Sequence, residues 1–211
     1  MTRILVFGDS IAYGAWDEEG GWVERLKKFI HKRNMNKDND EYDEVFNFSV
    51  GGEDTGDVLN RFEEETSTII NEDEECIIIF AIGTNDSHFY HNENRLQVKP
   101  EQFKKNIKKL ISLAKNFSSK IIFINYTFVD ESMTTLYNDL NSYKNEYIQE
   151  YNNNLKEICA KNNVHFIDIY KIFVKKDYKK LLYDGLHPNS EGHKLIYETV
   201  KDFLIKNKLL K

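Results

Sequence analysis

The chain is poor in the residues that mark several classes of protein. Of its 211 residues, only two are cysteine and two are proline, so neither a disulfide framework nor a proline-rich linker organises it. Cys76 and Cys159 stand far apart among apolar neighbours, which predicts buried free thiols rather than a zinc site. No apolar run reaches transmembrane length, and no basic stretch followed by an apolar segment marks a signal peptide. We therefore expect a cytoplasmic protein with no membrane insertion.

An excess of positive charge is also missing. The formal net charge is -6 at pH 7, whereas proteins that bind nucleic acid through its phosphates carry basic patches. Hydrophobic residues make up 40% of the chain and charged residues 30%, which is the balance of an ordinary globular protein. A chain of this size predicts one domain, 1–211, without a nucleic-acid partner. Its composition predicts no particular oligomeric state.

Short β-rich runs alternate with helical apolar stripes along the chain. The run from Cys76 to Ile82 is apolar on both faces, as a central strand of a parallel sheet must be. The clearest helical stripe begins near Pro100 and includes Phe103 and Ile107. This alternation predicts an α/β fold with helices on both faces of a parallel sheet. The predicted strands cover 4–8, 45–49, 76–83, 120–126 and 164–168, and the polar run 34–44 is predicted to be a surface loop.

Polar residues cluster where the predicted strands end. In a parallel α/β sheet the working site lies beyond the carboxyl ends of the strands, so these positions are the first candidates for a functional site. The strand-end segments are Gly8-Asp9-Ser10, Ser49-Val50-Gly51-Gly52, Gly83-Thr84-Asn85-Asp86 and, before the last helix, Asp184-Gly185-Leu186-His187.

Together these segments supply the parts of a nucleophilic site. A serine hydroxyl such as that of Ser10 is a weak nucleophile until a base takes its proton, and His187 is the candidate base. Asp184, three residues earlier, is placed to hold the imidazole tautomer. The N–H groups of Ser10 and Gly52 and the side-chain amide of Asn85 are candidate donors to an oxyanion. Gly51 is the alternative to Gly52 if the turn is shifted by one residue.

Each candidate also has a purely structural alternative. Ser10 in isolation would be interpreted as a helix N-cap, and Asn85 as a residue that stabilises a turn. Asp168, at the end of the fifth predicted strand, is an alternative partner for a histidine. Asp9 and Asp86 are predicted to be structural carboxylates, and His193 is predicted to be partly exposed on the last helix.

The four blocks together resemble the GDSL, or SGNH, hydrolase family. The resemblance rests on FGDS around Ser10, NFSVGG ending at Gly52, GTND around Asn85 and DGLHPN around Asp184 and His187, and it runs from residue 4 to about residue 200. The glycines before Trp22 resemble those of small intracellular bacterial members. The resemblance implies a three-layer, flavodoxin-like α/β/α fold with a five-stranded parallel sheet. It also implies a serine esterase mechanism that requires no metal or organic cofactor.

The same resemblance implies the role of each residue. Ser10 would be the nucleophile, His187 the base and Asp184 its orienting partner, with Ser10, Gly52 and Asn85 forming the oxyanion hole. The predicted function is cleavage of carboxylic esters of small soluble substrates through an acyl-serine intermediate. Deacetylation of O-acetylated carbohydrates and thioester cleavage by the same triad are the alternatives, and a ligand-binding α/β module is the non-enzymatic alternative.

Two loops at the strand ends are predicted to wall the substrate pocket, because loops in this position usually determine specificity. The first covers 87–99 and the second covers 127–141. Their candidate pocket residues are His88, Phe89, Tyr90 and Phe128.

Overall fold

The computed structural model describes residues 2–36, 42–70 and 75–210 of the chain. In chain order, its strands are β1 (Thr2–Gly8), β2 (Asp43–Asn47), β3 (Glu75–Ala81), β4 (Phe89–Tyr90), β5 (Arg95–Leu96), β6 (Lys120–Ile124), β7 (Asn141–Ser142) and β8 (His165–Ile167). Its α-helices are α1 (Ser10–Tyr13), α2 (Gly21–Asn34), α3 (Thr55–Ile69), α4 (Pro100–Ala114), α5 (Glu131–Thr134), α6 (Asn145–Lys161), α7 (Ile169–Val174) and α8 (Ser190–Lys206).

The main sheet has five parallel strands in the order β2-β1-β3-β6-β8. This confirms the predicted α/β fold with a five-stranded parallel sheet, and the strand order is that of flavodoxin-like folds. Three of the predicted strands run two residues too far, because the chain leaves the sheet at β2, β3 and β6 before the polar strand-end residues begin. At β3 the departure is completed by Gly83, whose φ of 127° is disfavoured for residues with a side chain.

Two apolar layers cover the two faces of this sheet. Leu5 and Phe7 of β1 belong to one core cluster, which α3, α4 and α6 cover. Ile4 and Val6 belong to the other, which α2, α7 and α8 cover. Successive side chains of a strand point to opposite faces, so a strand that is apolar throughout contributes to both layers and lies at the centre of the sheet.

A second, antiparallel sheet of three short strands lies in the loops above the carboxyl ends of the main sheet, in the order β5-β4-β7. The sequence predicts only loops there, because each strand is two residues long and too short to show a periodic pattern. This sheet joins the loop 87–99 to the segment that follows α5.

The structure corrects two further predictions. The predicted loop 34–44 is shorter than expected, because Asn34 ends α2 and β2 begins at Asp43; residues 37–41 lie outside the described part. His193 was expected to be partly exposed but is fully buried, because it lies on the face of α8 that packs towards Ala15. Among the described residues, no helix combines the length and apolar character that crossing a membrane requires.

Candidate active site

Ser10 lies two residues after the end of β1 and is the first residue of α1. The cap of α1 is Asp9, whose Oδ1 accepts a hydrogen bond of 3.0 Å from the backbone N–H of Ile11. Since Asp9 provides the cap, the Ser10 hydroxyl is left for another partner. The turn is tight as well, because a Cβ added at Gly8 would lie 2.5 Å from the Cβ of Ala12 in α1.

The partner of Ser10 is His187, 177 residues later in the chain. Ser10 Oγ lies 2.9 Å from His187 Nε2, and His187 Nδ1 lies 2.7 Å from Asp184 Oδ2. The other carboxylate oxygen of Asp184 accepts hydrogen bonds from the backbone N–H groups of Leu186 and His187. The loop therefore fixes Asp184 through its own backbone, and Asp184 in turn fixes the ring.

The protonation state of Asp184 favours one tautomer of His187. Burial opposes ionisation of this carboxyl, but hydrogen bonds from the His187 ring and backbone outweigh burial and lower the pKa of Asp184 to about 2. An ionised Asp184 only accepts hydrogen bonds, so Nδ1 of His187 must carry the proton between them. In the neutral ring Nε2 is then unprotonated and able to accept the proton of Ser10 Oγ.

Gly51 and Gly52, which follow β2, are the next residues beside Ser10. A Cβ added at Gly51 would lie 3.8 Å from the Cβ of Ser10, and Gly52 has a φ of 84° with open space around it. Within the described part of the chain, neither glycine N–H donates to a protein acceptor. Both remain available to a ligand, so the choice between Gly51 and Gly52 as oxyanion donor stays open.

The side chain of Asn85 is held at both ends of its amide. Its Nδ2 donates to the carbonyl oxygen of Glu53 at 2.8 Å, and its Oδ1 accepts from the hydroxyl of Tyr143 at 2.8 Å. The amide nitrogen has two hydrogens, so one remains for a ligand. Tyr143 fixes which way round the amide lies. No sequence motif points to Tyr143, because it follows the short strand β7 and is brought to Asn85 only by the fold.

Asp9 and Asp86, the two carboxylates that the sequence predicts to be structural, are both buried. Burial raises the pKa of Asp9 to about 6 and that of Asp86 to about 7. Asp86 accepts hydrogen bonds from both the backbone N–H and the hydroxyl of Thr55. Asp168, the alternative partner for a histidine, instead caps α7 and accepts from Asn125.

An open cavity of about 450 Å³ contains Ser10, His187 and Asn85 in its wall. The other residues that line it are Ala15, Trp16, Gly51, Gly52, Met133, Thr134, Tyr137, Tyr143, Asp184 and Leu186. Met133, Thr134 and Tyr137 lie in the second predicted loop, 127–141, and Trp16 has no counterpart among the predicted pocket residues.

The structure places the four predicted pocket residues elsewhere. His88 is buried behind the cavity wall, where its ring stacks on that of Tyr143 with centroids 4.5 Å apart. Phe89 and Tyr90 form β4, with Phe89 packed against Tyr147. Phe128 stacks on Tyr170 at 3.8 Å between ring centroids. None of the four is among the residues that line the cavity; their side chains support its wall or pack away from it.

Comparison with known families gives one match over most of the chain. The model of the family described as GDSL-like lipase/acylhydrolase matches residues 4–200. A comparison with curated proteins gives no match.

Solved structures give matches over nearly the whole chain. A lipase/acylhydrolase from Enterococcus faecalis has a TM-score of 0.73 and 26% identity, with 97% of this chain and 95% of that chain covered. A member of the lipolytic G-D-S-L family from Veillonella parvula has a TM-score of 0.71 and 23% identity, with 96% and 97% covered. A catalytic mutant of an acetylxylan esterase from Geobacillus stearothermophilus has a TM-score of 0.70 and 18% identity, with 96% and 92% covered. The last two structures share the fold with this chain.

Proposed function

Because the chain belongs to the GDSL-like lipase/acylhydrolase family, and so to a family of hydrolases, we propose that it cleaves carboxylic esters of small soluble substrates through an acyl-serine intermediate. The observation that carries this proposal is the pair of hydrogen bonds that joins Ser10 Oγ to His187 and His187 to Asp184, at 2.9 and 2.7 Å. The serine end of this pair opens into a cavity of about 450 Å³.

In the first half of the reaction, Ser10 Oγ attacks the ester carbonyl carbon while His187 Nε2 takes its proton. Asp184 stabilises the imidazolium that forms. The carbonyl oxygen becomes an oxyanion, and the second N–H of the Asn85 amide is the side-chain donor that approaches it. His187 then gives its proton to the leaving alcohol, and the acyl group remains on Ser10.

The backbone donors to the oxyanion are Ser10 and one of the two glycines, Gly51 or Gly52. The N–H of Ser10 lies in the first turn of α1, where an intrahelical acceptor is lacking. In the second half of the reaction, water loses a proton to His187 and attacks the acyl carbon. The acid is released when Ser10 Oγ regains its proton.

The proposal is tested by labelling with a fluorophosphonate probe. We expect a mass gain confined to the peptide that contains Ser10, because only an activated serine reacts with such a probe. Ser10→Ala should remove the labelling and lower kcat on short-chain nitrophenyl esters by about a thousandfold or more. Ser132, an exposed serine that precedes the lining residue Met133, provides a control: Ser132→Ala should label normally.

Folded protein that takes up no probe would contradict the proposal and favour the ligand-binding module. Near-native turnover by Ser10→Ala would contradict the assignment of the nucleophile. A carbohydrate O-acetyl esterase with the same triad is the second candidate function, since acetylxylan esterases are among the proteins of similar fold. A panel of alkyl esters, acetylated sugars and acyl thioesters separates this candidate and thioester cleavage from simple ester hydrolysis.

A further inference from the structure

Two exposed aromatic side chains stack on each other beside the cavity: Trp16 lines it, and Tyr183 packs on Trp16 without being a lining residue. Trp16 is 60% exposed and Tyr183 is 64% exposed. Their rings are inclined at only 22° and their centroids are 5.9 Å apart, so the rings are offset and each leaves part of its surface uncovered. Single exposed aromatics need no explanation, but a stacked and exposed pair beside a nucleophile does.

The backbone holds Trp16 in an unusual conformation. Its φ of 64° lies in the left-handed region, which a bulky side chain rarely adopts. The surrounding turn supports this conformation, because Ala15 N–H donates to the Ser10 carbonyl at 3.0 Å and Asp17 N–H donates to that of Gly14 at 3.4 Å. The indole therefore has a defined position despite its exposure.

That position is directly beside His187. The Trp16 ring meets the imidazole edge to face, and indole Nε1 lies 3.2 Å from His187 Nδ1. While Nδ1 carries its proton for Asp184, it has no lone pair for the indole N–H. In the tautomer that the mechanism needs, the indole N–H therefore has no acceptor at Nδ1 and can donate to a ligand acceptor beside the His187 ring.

The direction of the reaction identifies which part of a substrate would meet this pair. His187 Nε2 protonates the leaving oxygen, so the leaving alcohol must lie on the side of His187. The oxyanion lies instead on the side of Asn85, which Tyr143 supports. Trp16 lines the cavity beside the His187 ring, with its closest approach at Nδ1 rather than Nε2, and Tyr183 stacks on Trp16. Both rings therefore lie on the His187 side of the cavity, which is the side of the alcohol half of the ester.

We propose that Trp16 and Tyr183 form a stacking platform for the leaving alcohol, and that this alcohol is a ring with an apolar face and hydroxyl groups, as in a sugar. This inference rests on the proposed function. The exposed ring surfaces suit the C–H face of a sugar ring, which stacks on aromatic side chains. The indole N–H and the half-buried Asp184 carboxylate, with its side chain 37% exposed, provide hydrogen-bonding groups for hydroxyls beside it. The platform is open on one side, unlike the enclosed trough that an alkyl chain would need.

The test is a ratio of two activities that share an acyl group. We compare kcat/KM for an O-acetylated methyl glycoside with kcat/KM for ethyl acetate. Tyr183→Ala should lower this ratio by about tenfold, mainly through the KM of the sugar ester, because a ring stacking contact is of that size. Tyr183→Phe should retain the ratio, since it retains the ring.

Tyr42→Ala is the matched control, because Tyr42 is an exposed tyrosine that belongs to neither the cavity nor the platform. It should leave the ratio unchanged. Trp16→Ala should lower the ratio as Tyr183→Ala does. It should also lower kcat/KM for both esters, because the indole packs on His187. If Tyr183→Ala left this ratio unchanged, the platform would be overturned. If Tyr183→Ala lowered kcat/KM for phenyl acetate but not for the glycoside, the assignment of the platform to a sugar would be overturned.

A binding measurement separates this inference from the proposed function. Trp16 is exposed, whereas the other tryptophan, Trp22, is 1% exposed, so emission changes on ligand binding report mainly on Trp16. Titration of the Ser10→Ala variant with the acetylated glycoside should give a saturable change that disappears when Trp16→Phe is added. If the wild-type protein hydrolyses esters but the titration gives no change in emission, the platform is overturned and the proposed function is not. The opposite result is a saturable change in emission while the wild-type protein neither takes up the fluorophosphonate probe nor hydrolyses any ester. That result would overturn the proposed function and, with it, the assignment of the bound ring to a leaving alcohol.

Discussion

Asn85 illustrates how much of a site depends on a residue that no motif contains. Its amide is useful to an oxyanion only if the nitrogen, rather than the oxygen, faces the cavity. The hydroxyl of Tyr143 makes that choice by donating to Oδ1 at 2.8 Å, and burial of Tyr143 raises the pKa of its hydroxyl, which keeps it protonated as a donor. We therefore interpret Tyr143 as a positioning residue for Asn85.

Tyr143→Phe removes this hydrogen bond and leaves the ring in place. We expect kcat to fall by about tenfold with little change in KM, because the oxyanion donor becomes less well oriented while the substrate contacts remain. Steady-state kinetics on a short-chain ester would measure both values. In an Asn85→Ala background the same change should cost much less, so equal losses in the two backgrounds would contradict the positioning role.

At the residue scale, the sequence identifies the main polar side chains of the site but not the residues that contact and position them. Ser10, Asn85, Asp184 and His187 are recognised from their segments, and their catalytic roles stay predictions that the geometry supports. Tyr143 and Trp16 escape recognition because each lies outside those segments and is brought to the site by tertiary contacts. His88, on the other hand, looked like a pocket residue because it follows the GTND segment, but it packs behind Tyr143.

At the scale of elements, the backbones of Gly14 and Gly21 are in close contact where α1 leads into α2. A Cβ at Gly21 would lie 2.3 Å from the Cα of Gly14, and a Cβ at Gly14 would lie 2.2 Å from the carbonyl oxygen of Gly20. Both have positive φ values, of 96° for Gly14 and 81° for Gly21. This close approach shapes the loop that carries Trp16 and brings α2 against the main sheet.

Gly21→Ala should destabilise the protein by roughly 3 kcal/mol or more, because the added methyl meets backbone and the left-handed conformation is strained. Urea denaturation would measure the free energy of unfolding. Gly20→Ala is a matched control: its φ is 79°, but its Cβ would meet no backbone atom, only Cβ and Cγ of Glu24 at 3.1 Å. We expect that variant to lose about 1 kcal/mol, and similar losses in both variants would contradict the backbone contact.

The elements themselves follow from local pattern where they are long. The stripe that begins near Pro100 becomes α4, and the doubly apolar run from Cys76 becomes β3, buried between two layers. The antiparallel sheet of β4, β5 and β7 does not follow, because two-residue strands have no period and pair only when distant loops meet.

At the scale of the whole molecule, buried carboxyls set an unusual dependence of stability on pH. Burial raises the pKa of Asp86 from 3.8 to about 7. Below pH 4 the carboxyl is protonated in both the folded and the unfolded chain. As the pH rises towards 7, the unfolded chain releases the proton first, so this group favours unfolding increasingly up to about pH 7. Asp9, with a pKa of about 6, acts in the same direction.

Other groups oppose this trend, so a variant is needed to isolate it. Burial lowers the pKa of His193 to about 4, and its contribution to stability is lost as the pH falls from about 6.5 to 4. Asp86→Asn should gain stability relative to the wild type by on the order of 2–4 kcal/mol between pH 4 and pH 8. Urea denaturation of both proteins at the two pH values measures this difference, and parallel pH profiles would contradict the raised pKa of Asp86.

The sequence by itself determined the strand–helix order, the parallel sheet and the polar segments at the strand ends. The strand–helix order and the parallel sheet follow from the local periodicity of apolar residues, and the polar segments are visible directly in the sequence. Only the tertiary structure decided that Tyr143 orients Asn85, that Trp16 and Tyr183 stand beside His187, and that His88 lies behind the wall. Contacts between residues far apart in the chain depend on how loops pack, and no local pattern records that packing.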